Sequence, residues 1–339
     1  MDARSQVAAA KYWNRLLAPY AEADDAKAWI QLLTTTTLFV GTWLAMLWSL
    51  QISYWLTLGL AIPAAGLQIR LFIFQHDCGH GSFFRSSRWN DTVGGLIGIL
   101  MLTPYRYWRR THAIHHASSG DLDRRDFGDV ETLTVKEYLA LPRHRRIAYR
   151  LYRNPLILFV LGPIYQFVLK HRLPLDIPRN WRRERRSVAK TNLALLGLLL
   201  VAWPTIGIDS LLLVQLPITL LSGSVGMWLF YVQHQFEDTY WRHNPEWSFH
   251  RAGLQGSSFY DLPAVLHWFT GNIGFHHVHH LASRIPNYRL KQCFRNVPEL
   301  GQVTRLTILG SLRCARLHLW NEAEKRLVGF SHLRRLQSA

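Results

Sequence analysis

Residues 31–69, QLLTTTTLFVGTWLAMLWSLQISYWLTLGLAIPAAGLQI, contain no acidic or basic side chain. A helix needs about 20 residues to cross the hydrocarbon core of a bilayer, so this stretch is long enough for two crossings. Arg70 ends the uncharged part, and the apolar residues LFIF extend it to residue 74. The sequence therefore predicts a transmembrane hairpin made of helices 31–50 and 52–74.

A second apolar block lies later in the chain. Residues 191–208 and 210–232 are apolar over lengths that suit transmembrane helices, and only Asp209 lies between them, so they predict a second hairpin. Residues 92–102 are too short to span, and residues 155–169 are short and contain a proline. The predicted fold class is an all-α integral membrane protein, with four transmembrane helices in two hairpins and a cytoplasmic helical cap.

The distribution of charge sets the predicted orientation. The chain has 39 Lys and Arg against 22 Asp and Glu, and the arginine-rich segments 143–153 and 170–190 flank residues 155–169. Because cytoplasmic loops carry the excess of Lys and Arg, placing residues 155–169 in the membrane interface keeps every arginine-rich segment in the cytoplasm. The chain is then a single domain, residues 1–339, with both termini in the cytoplasm. Its cytoplasmic parts are the N-terminal segment 1–30 and the cap segments 75–190 and 233–339.

Composition argues against several other classes. Positive charge is typical of proteins that bind nucleic acids or anionic membranes, and the apolar blocks favour the membrane, so we expect no nucleic-acid partner. Cys78, Cys293 and Cys314 are widely spaced and form no CxxC pair, which argues against a disulfide framework or a zinc ribbon. Residues 1–25 are too polar for a secretory signal peptide.

Ten of the 17 histidines lie in four short groups. On a helix, residues at positions i, i+3 and i+4 share one face. The first group has the spacing i, i+4, and the second and fourth have the spacing i, i+3, i+4, so each can direct its imidazoles to one point. His277 falls off the face of the fourth group and is its least favoured ligand. The groups are HDCGH (76–80), HAIHH (112–116), QHQFE (233–237) and HHVHH (276–280).

The predicted topology lets these groups meet, because all of them lie at the cytoplasmic ends of spans or in the cytoplasmic cap. Imidazole binds zinc, copper, iron and nickel, and a single zinc ion takes about four ligands. Nine imidazoles therefore fit two metal ions, although their spacing does not identify iron. The predicted metal ligands are His76, His80, His112, His115, His116, His234, His276, His279 and His280.

The chain around these residues resembles the membrane-bound fatty acid desaturase family, and most closely its acyl-lipid (Δ12/Δ5-type) branch. The resemblance extends from about residue 30 to about residue 300, and the last of its segments is far more specific than the spacing of histidines alone. The segments that carry it are HDCGHGSFF (76–84), HAIHHASSGDLDRRDFGD (112–129), FYVQHQFED (230–238) and GSSFYDLPAVLHWFTGNIGFHHVHHLASRIPNYRL (256–290).

The resemblance implies a function and its cofactors. It implies a di-iron centre on the cytoplasmic face, held by the nine histidines, and an O2-dependent oxidoreductase that inserts a double bond into the acyl chain of a membrane lipid by stepwise removal of two hydrogens. His234 is implied as the ligand near the last span. Because no cytochrome b5-like segment is present at either end, we expect electrons from a separate, ferredoxin-like protein. The expected location is a bacterial inner membrane.

Polar side chains near the histidines are candidates for holding the imidazoles in orientation. Asn272 lies four residues before His276, so we expect it on the same helical face, where it would hold a water at the metal. Asp77 and Glu237 also fit ordinary surface carboxylates. The candidates are Asp77, Glu237, Asp261 and Asn272.

Two other functions fit the histidine pattern. A related di-iron membrane oxygenase, such as an alkane or carotenoid hydroxylase or a ketolase, would use the same ligands and is distinguished by its product. A histidine-rich metal transporter would place its sites near the middle of the bilayer, whereas these groups lie at the ends of the spans. No motif encodes the position of the double bond, the carrier of the acyl group, the identity of the electron donor or the oligomeric state.

Overall fold

The computed structural model describes residues 3–125 and 128–333, and it is built mainly from helices. The helices of the described residues are α1 (Ala3–Leu17), α2 (Asp25–Ser49), α3 (Tyr54–His80), α4 (Ser87–Leu100), α5 (Tyr105–Ser118), α6 (Val135–Ala140), α7 (Arg143–Tyr152), α8 (Ile157–Lys170, with π-helical turns at both ends), α9 (Arg182–Thr205), α10 (Ile208–His234), α11 (Phe249–Gln255), α12 (Ala264–Phe269), α13 (His276–Leu281), α14 (Asn287–Asn296) and α15 (Ile308–Ser311). Short 3₁₀ helices cover Ala18–Tyr20, Pro298–Gly301 and Leu312–Arg316. The strands are β1 (Leu133–Thr134), β2 (Phe259–Tyr260), β3 (Arg305–Leu306), β4 (Leu319–Asn321) and β5 (Arg326–Val328).

Four of the helices, α2, α3, α9 and α10, are long and apolar enough to cross a membrane. Short turns join α2 to α3 and α9 to α10, so the four helices form two hairpins. This arrangement confirms the predicted fold class of a helical membrane protein. The shorter apolar helix α8 coincides with the segment predicted to lie in the membrane interface, and its place relative to a bilayer stays a prediction.

The helices run beyond the apolar segments read from the sequence. Helix α3 contains most of the predicted span 52–74 and continues to His80, and α9 begins at Arg182, ahead of the predicted start at residue 191. The end of a helix is set by the backbone conformation of the residue that follows it, not by the point at which its side chains become polar. Gly81 stops α3 because it adopts φ +68°, a left-handed conformation that glycine takes without strain. The HDCGH segment is therefore part of the last turns of α3.

Helix α3 is the central helix of the membrane part. The most apolar stretch of α3 is 56% buried inside the protein, against 17% to 22% for the corresponding stretches of the other three long helices. Small residues on α3 let neighbouring helices approach closely, and Gln68 adds a polar link by donating to the Ser222 hydroxyl of α10 at 2.8 Å. The end of α3, which carries two of the histidines, is thus fixed from several sides.

A buried arginine ties the cap to the end of α10. Arg153 is 1% exposed, and its Nη2 donates to the Tyr231 hydroxyl at 3.0 Å, to Gln235 Oε1 at 2.9 Å and to the Leu317 carbonyl at 2.9 Å. Its guanidinium also lies 5.4 Å from the centre of the Tyr231 ring. Arg153 thus hydrogen-bonds to neutral acceptors at the end of α10 and in the C-terminal segment, and these bonds fix the last turn of α10, which carries His234.

Five short strands were not predicted, because none is long enough to show an alternating pattern. β1, β4 and β5 form one small sheet, in which β1 is parallel and β5 antiparallel to β4. β2 and β3 form a second, parallel pair, with Phe259 opposite Arg305 and Tyr260 opposite Leu306. Both sheets lie in the predicted cap and join segments that are far apart in the sequence.

Candidate metal centre

Four helices bring the predicted histidines to one place. His76 and His80 lie on the last turns of α3, and His234 is the last residue of α10. The other two helices carry three histidines each at the spacing that puts them on one face. These are His112, His115 and His116 on α5, and His276, His279 and His280 on α13.

The nine histidines form two groups, and the ligand nitrogens within each group lie within 4.8 Å of one another. Each group draws on three helices, so neither could form from one sequence segment. α5 and α13 contribute to both groups, which places the two groups side by side. Group A consists of His76, His80, His112, His116 and His279, and group B consists of His115, His234, His276 and His280.

The distances between nitrogens match a shared metal ion. Nε2 of His116 lies 3.1 Å from Nε2 of His112 and 3.0 Å from Nε2 of His279. Nε2 of His276 lies 2.9 Å from Nε2 of His234 in group B. Nitrogens bound at about 2.1 Å to one ion lie about 3.0 Å apart in right-angle geometry and about 3.4 Å apart in tetrahedral geometry. Three Nε2 atoms this close cannot all pair through protons, whereas a cation between them satisfies every lone pair.

The protonation of these histidines also fits metal binding. Burial lowers the pKa of His112, His116, His276, His279 and His280 well below the ordinary value, and neighbouring imidazoles lower it further. A neutral imidazole keeps the lone pair that a metal needs. In addition, Nε2 of His80 is buried and has no hydrogen-bond partner among the described residues. The donor set therefore fits metal ions that prefer imidazole.

Hydrogen-bond partners at Nδ1 orient three of the histidines, two of which belong to group B. Nδ1 of His115 lies 2.5 Å from Asp129 Oδ1, and Nδ1 of His234 lies 3.0 Å from the carbonyl oxygen of Gly256. Both contacts occupy Nδ1 and leave Nε2 to face the rest of group B. Such partners fix the tautomer and the direction of a ligating ring.

The equivalent contact in group A runs through Asp77. Its Oδ1 lies 3.1 Å from Nδ1 of His76, and its Oδ2 accepts the backbone N–H of Asn287 at 2.7 Å and the Asn287 side-chain amide at 2.9 Å. Asp77 is 1% exposed, so it is not a surface carboxylate. It links the first histidine of α3 to the start of α14.

The other three candidates for orienting the imidazoles lie elsewhere. Helix α13 begins only at His276, so Asn272 does not share its face; it adopts φ +60° and donates to the Asn287 carbonyl at 3.2 Å. Glu237 is exposed and pairs with Arg326 at 2.9 Å. Among the described residues, Asp261 pairs with Arg305 and not with a predicted ligand. The expectation that Asn272 shares a helical face with His276 is wrong.

Sequence reasoning missed Asp129, Asn287 and Gly256. Asp129 belongs to the block that follows the second histidine group, but its distance of 14 residues from His115 gives no helical signal. Asn287 lies 210 residues from Asp77, and Gly256 contributes only a backbone carbonyl. These partners come together through the fold alone, so spacing could not have identified them.

His277 lies in neither group. It is fully buried, and its ring lies 5.6 Å from Phe294 and 6.2 Å from Phe259, on the side of α13 away from the other histidines. Burial lowers its pKa to about 3. His277 is therefore a neutral core residue.

Aromatic rings border both groups. Trp108 stacks on His112 at 4.6 Å with 15° between the ring planes, and a Cβ on Gly79 would come within 2.9 Å of its indole ring. Phe230 lies 5.1 Å from the ring of His115. These rings pack against the histidines, and the missing side chain of Gly79 leaves space for Trp108 beside the two ligands of α3.

Comparisons with known proteins agree with this geometry. A family model described as fatty acid desaturase matches residues 53–308. The chain is similar to a fatty acid desaturase of Bacillus subtilis, with 45% identity over 326 residues that make up 96% of this chain and 92% of that protein. It is also similar to the sn-1 oleoyl-lipid 12-desaturase of Synechocystis, with 26% identity over 82% of this chain and 78% of that protein. The chloroplastic sn-2 acyl-lipid omega-3 desaturase (ferredoxin) of Arabidopsis thaliana is 31% identical over 74% of this chain, which spans 56% of that protein.

Proposed function

Because this chain belongs to the fatty acid desaturase family, an oxidoreductase family, we propose that it inserts a double bond into the acyl chain of a membrane lipid. The observation that carries the proposal is the division of nine histidines into two adjacent groups at the ends of apolar helices. The names of the Synechocystis and Arabidopsis relatives support a lipid-linked acyl chain as the substrate.

In this proposal each group holds one iron ion. Group A would offer five imidazole nitrogens to one ion and group B would offer four to the other. Bound iron supplies, together with O2, the oxidant that removes hydrogen from an unactivated CH2 group. The chain itself orients the ligands through Asp77, Asp129 and Gly256, and excludes water with Trp108 and Phe230.

The electron balance requires a second protein. Removing two hydrogens from adjacent CH2 groups yields two electrons and two protons, whereas reducing O2 to two waters takes four of each. The other two electrons come from an external carrier, and the other two protons come from solvent. We propose a ferredoxin-like donor, which the name of the Arabidopsis relative supports.

We further propose that the histidines face the cytoplasm across a bacterial inner membrane. The arginine-rich segments support this orientation, because cytoplasmic segments of membrane proteins carry the excess of basic residues. The bacterial relative supports the location. The acyl chain would then reach the histidines from the bilayer, where the four long helices are apolar on their exposed sides.

Product analysis tests the function. The full chain is expressed with a ferredoxin and its reductase in a bacterium whose lipids are only saturated and monounsaturated, and the fatty acids are analysed by mass spectrometry. The expected result is a new double bond, whose position the same spectra give. Hydroxylated or keto products would instead identify another di-iron oxygenase.

Metal analysis of the purified protein completes the test. The expected result is two tightly held irons per chain. Zinc that exchanges freely, with no iron and no new lipid product, would refute the proposal and favour a role in handling metals.

A further inference from the structure

We propose that two short helices of the cap, α12 and α15, form a surface that inserts into the headgroup region of the bilayer. Both lie outside the long helices, yet both expose large apolar side chains. We call this surface the apolar tip. It consists of Val265 (60% exposed), Leu266 (39%), Trp268 (40%), Ile308 (39%) and Leu309 (79%), together with Leu312 (58%), which begins the 3₁₀ helix directly after α15.

The strand pairing makes these residues one surface. β2 and β3 are parallel neighbours, and each is followed within a few residues by one of the two helices. Because parallel strands end at the same edge, α12 and α15 leave the strand pair on the same side. The ion pair between Asp261 and Arg305, at the junction of strands and helices, joins their starting points.

Helix α12 lies against the membrane part of α3. A Cβ on Gly66 would come within 2.7 Å of the Phe269 ring, and a Cβ on Gly271 would come within 2.8 Å of Ile73. Arg70 donates to the Trp268 carbonyl, and its guanidinium lies 4.4 Å from the centre of the Trp268 ring. At about 1.5 Å of rise per residue, Gly66 and Ile73 lie about 10 to 20 Å before the end of α3 at His80. Helix α12 therefore lies beside the spanning segment, not above it.

Helix α15 is attached to α10 in the same way. The Ser311 hydroxyl lies 3.0 Å from the Tyr260 hydroxyl, which accepts the Trp228 indole N–H at 3.4 Å. The Tyr231 hydroxyl donates to the Cys314 carbonyl at 3.2 Å. Trp228 and Tyr231 belong to the last two turns of α10, so α15 lies at the level where that spanning helix ends.

A lipid bilayer is the occupant that these contacts support. The tip packs beside α3 and α10 near the ends that the predicted topology places in the cytoplasm, so it lies close to the bilayer that surrounds those helices. Arg313 and Arg316 are exposed directly after the tip, where basic side chains meet lipid phosphates. An apolar surface bordered by arginines is typical of segments that lie in the membrane interface.

Contact between the tip and the bilayer would fix the position of the histidines on α13. Residues 270–275 connect α12 to α13, so the end of α12 fixes where the third histidine helix begins. A tip anchored in the bilayer holds α13 at a constant height above the membrane. This inference concerns membrane contact and does not depend on iron or on desaturation.

Labelling tests the proposal. Leu309→Cys, reacted with a nitrobenzoxadiazole probe, is compared with Ala323→Cys, which lies in the exposed turn between β4 and β5. Both full-length variants are reconstituted into phosphatidylcholine–phosphatidylglycerol vesicles. The parent chain, whose three cysteines are buried, measures background labelling. We expect the Leu309→Cys probe to emit at shorter wavelength and to be quenched by lipids with nitroxide-labelled acyl chains, whereas aqueous iodide quenches the Ala323→Cys probe.

Two outcomes would overturn the proposal. Quenching of the Leu309→Cys probe by iodide and not by labelled lipids would place the tip in water. Protection from both quenchers, with disulfide cross-linking between Leu309→Cys chains, would show that a second copy covers the tip. Val265→Cys repeats the measurement on α12 if Leu309→Cys does not fold. Because the readout needs no metal, failure of this test leaves the proposed desaturase function unaffected. Failure of the desaturase assay likewise leaves this proposal unaffected.

Discussion

Groups A and B differ in donors and in enclosure. Group A has five histidines, of which His80 and His112 are only partly buried, whereas the four histidines of group B are all buried. One carboxylate, Asp77, contacts group A, and it is itself held by two N–H groups of Asn287. Group B is contacted by Asp129 and by the carbonyl of Gly256.

The two groups should therefore differ in how strongly they depend on single residues. Group A has one more donor than group B, and two of its histidines are more exposed than any histidine of group B. Group B has fewer nitrogens and depends more on each of them and on the groups behind them. Removing one histidine or one carboxylate should therefore have unequal effects on the two groups.

The largest expected effect is the loss of a histidine that faces the metal. His279→Ala removes one of the donors of group A, and activity should fall by more than about 100-fold, because losing even an outer partner of a ligand costs about 10- to 100-fold in metal affinity or activity. Mass spectrometry of the lipids from cells with equal amounts of membrane-inserted protein measures the effect.

His277→Ala is the matched control on the same helix. It removes a buried ring that contacts Phe294 and no metal group, so it should lower stability by about 1–3 kcal/mol and leave most activity. Equal loss of activity in both variants would mean that the two faces of α13 are assigned wrongly.

The next largest effect is the difference in retained iron between variants that lose one histidine from each group. His80→Ala leaves four histidines in group A, whereas His280→Ala leaves three in group B. If the number of donors sets affinity, His280→Ala should retain about one iron per chain after equilibrium dialysis against a chelator, and His80→Ala should retain more. Plasma mass spectrometry of the dialysed proteins gives the ratio. Greater loss from His80→Ala would show instead that burial, not the number of donors, governs retention.

Much of the membrane part could be predicted from the sequence. The length of residues 31–69 and the absence of charge in it predict a hairpin without any knowledge of packing. The helix ends could not be predicted as well, because α3 stops at Gly81 for a reason of backbone conformation. The short strands and the position of α12 beside α3 depend on contacts between distant segments, which leave no local pattern.

The candidate site shows the same limit. Helical spacing put His276, His279 and His280 on one face of a helix, and the structure has that helix. Spacing could not divide the nine histidines into two groups, since α5 and α13 each contribute to both. Nor could it find Asp129, whose contact with His115 arises only when the loop after α5 folds back.

A smaller effect is expected from the carboxylates behind the ligands. Asp129→Asn should weaken the affinity of group B for iron by about 10- to 100-fold, because a neutral amide oxygen accepts the His115 N–H more weakly than a carboxylate does. Asp77→Asn should weaken group A less, since four of its five histidines do not contact Asp77. Competition with a chelator of known affinity, followed through the absorption spectrum of the bound iron, measures both. Equal shifts would contradict the difference between the groups.

The smallest effect should come from Glu237→Gln. Glu237 lies three residues after His234, and the sequence made it a candidate for orienting the imidazoles, but its side chain pairs with Arg326 at the surface. Exposed ion pairs contribute about 0–1 kcal/mol, so thermal stability should change little and the iron affinity of group B not at all. The iron affinity of Asp129→Asn, measured in parallel by the same chelator competition, is the reference for this variant. A loss of iron as large as in Asp129→Asn would mean that Glu237 turns inward when the metal binds, and that group B has two carboxylate partners where the structure has one.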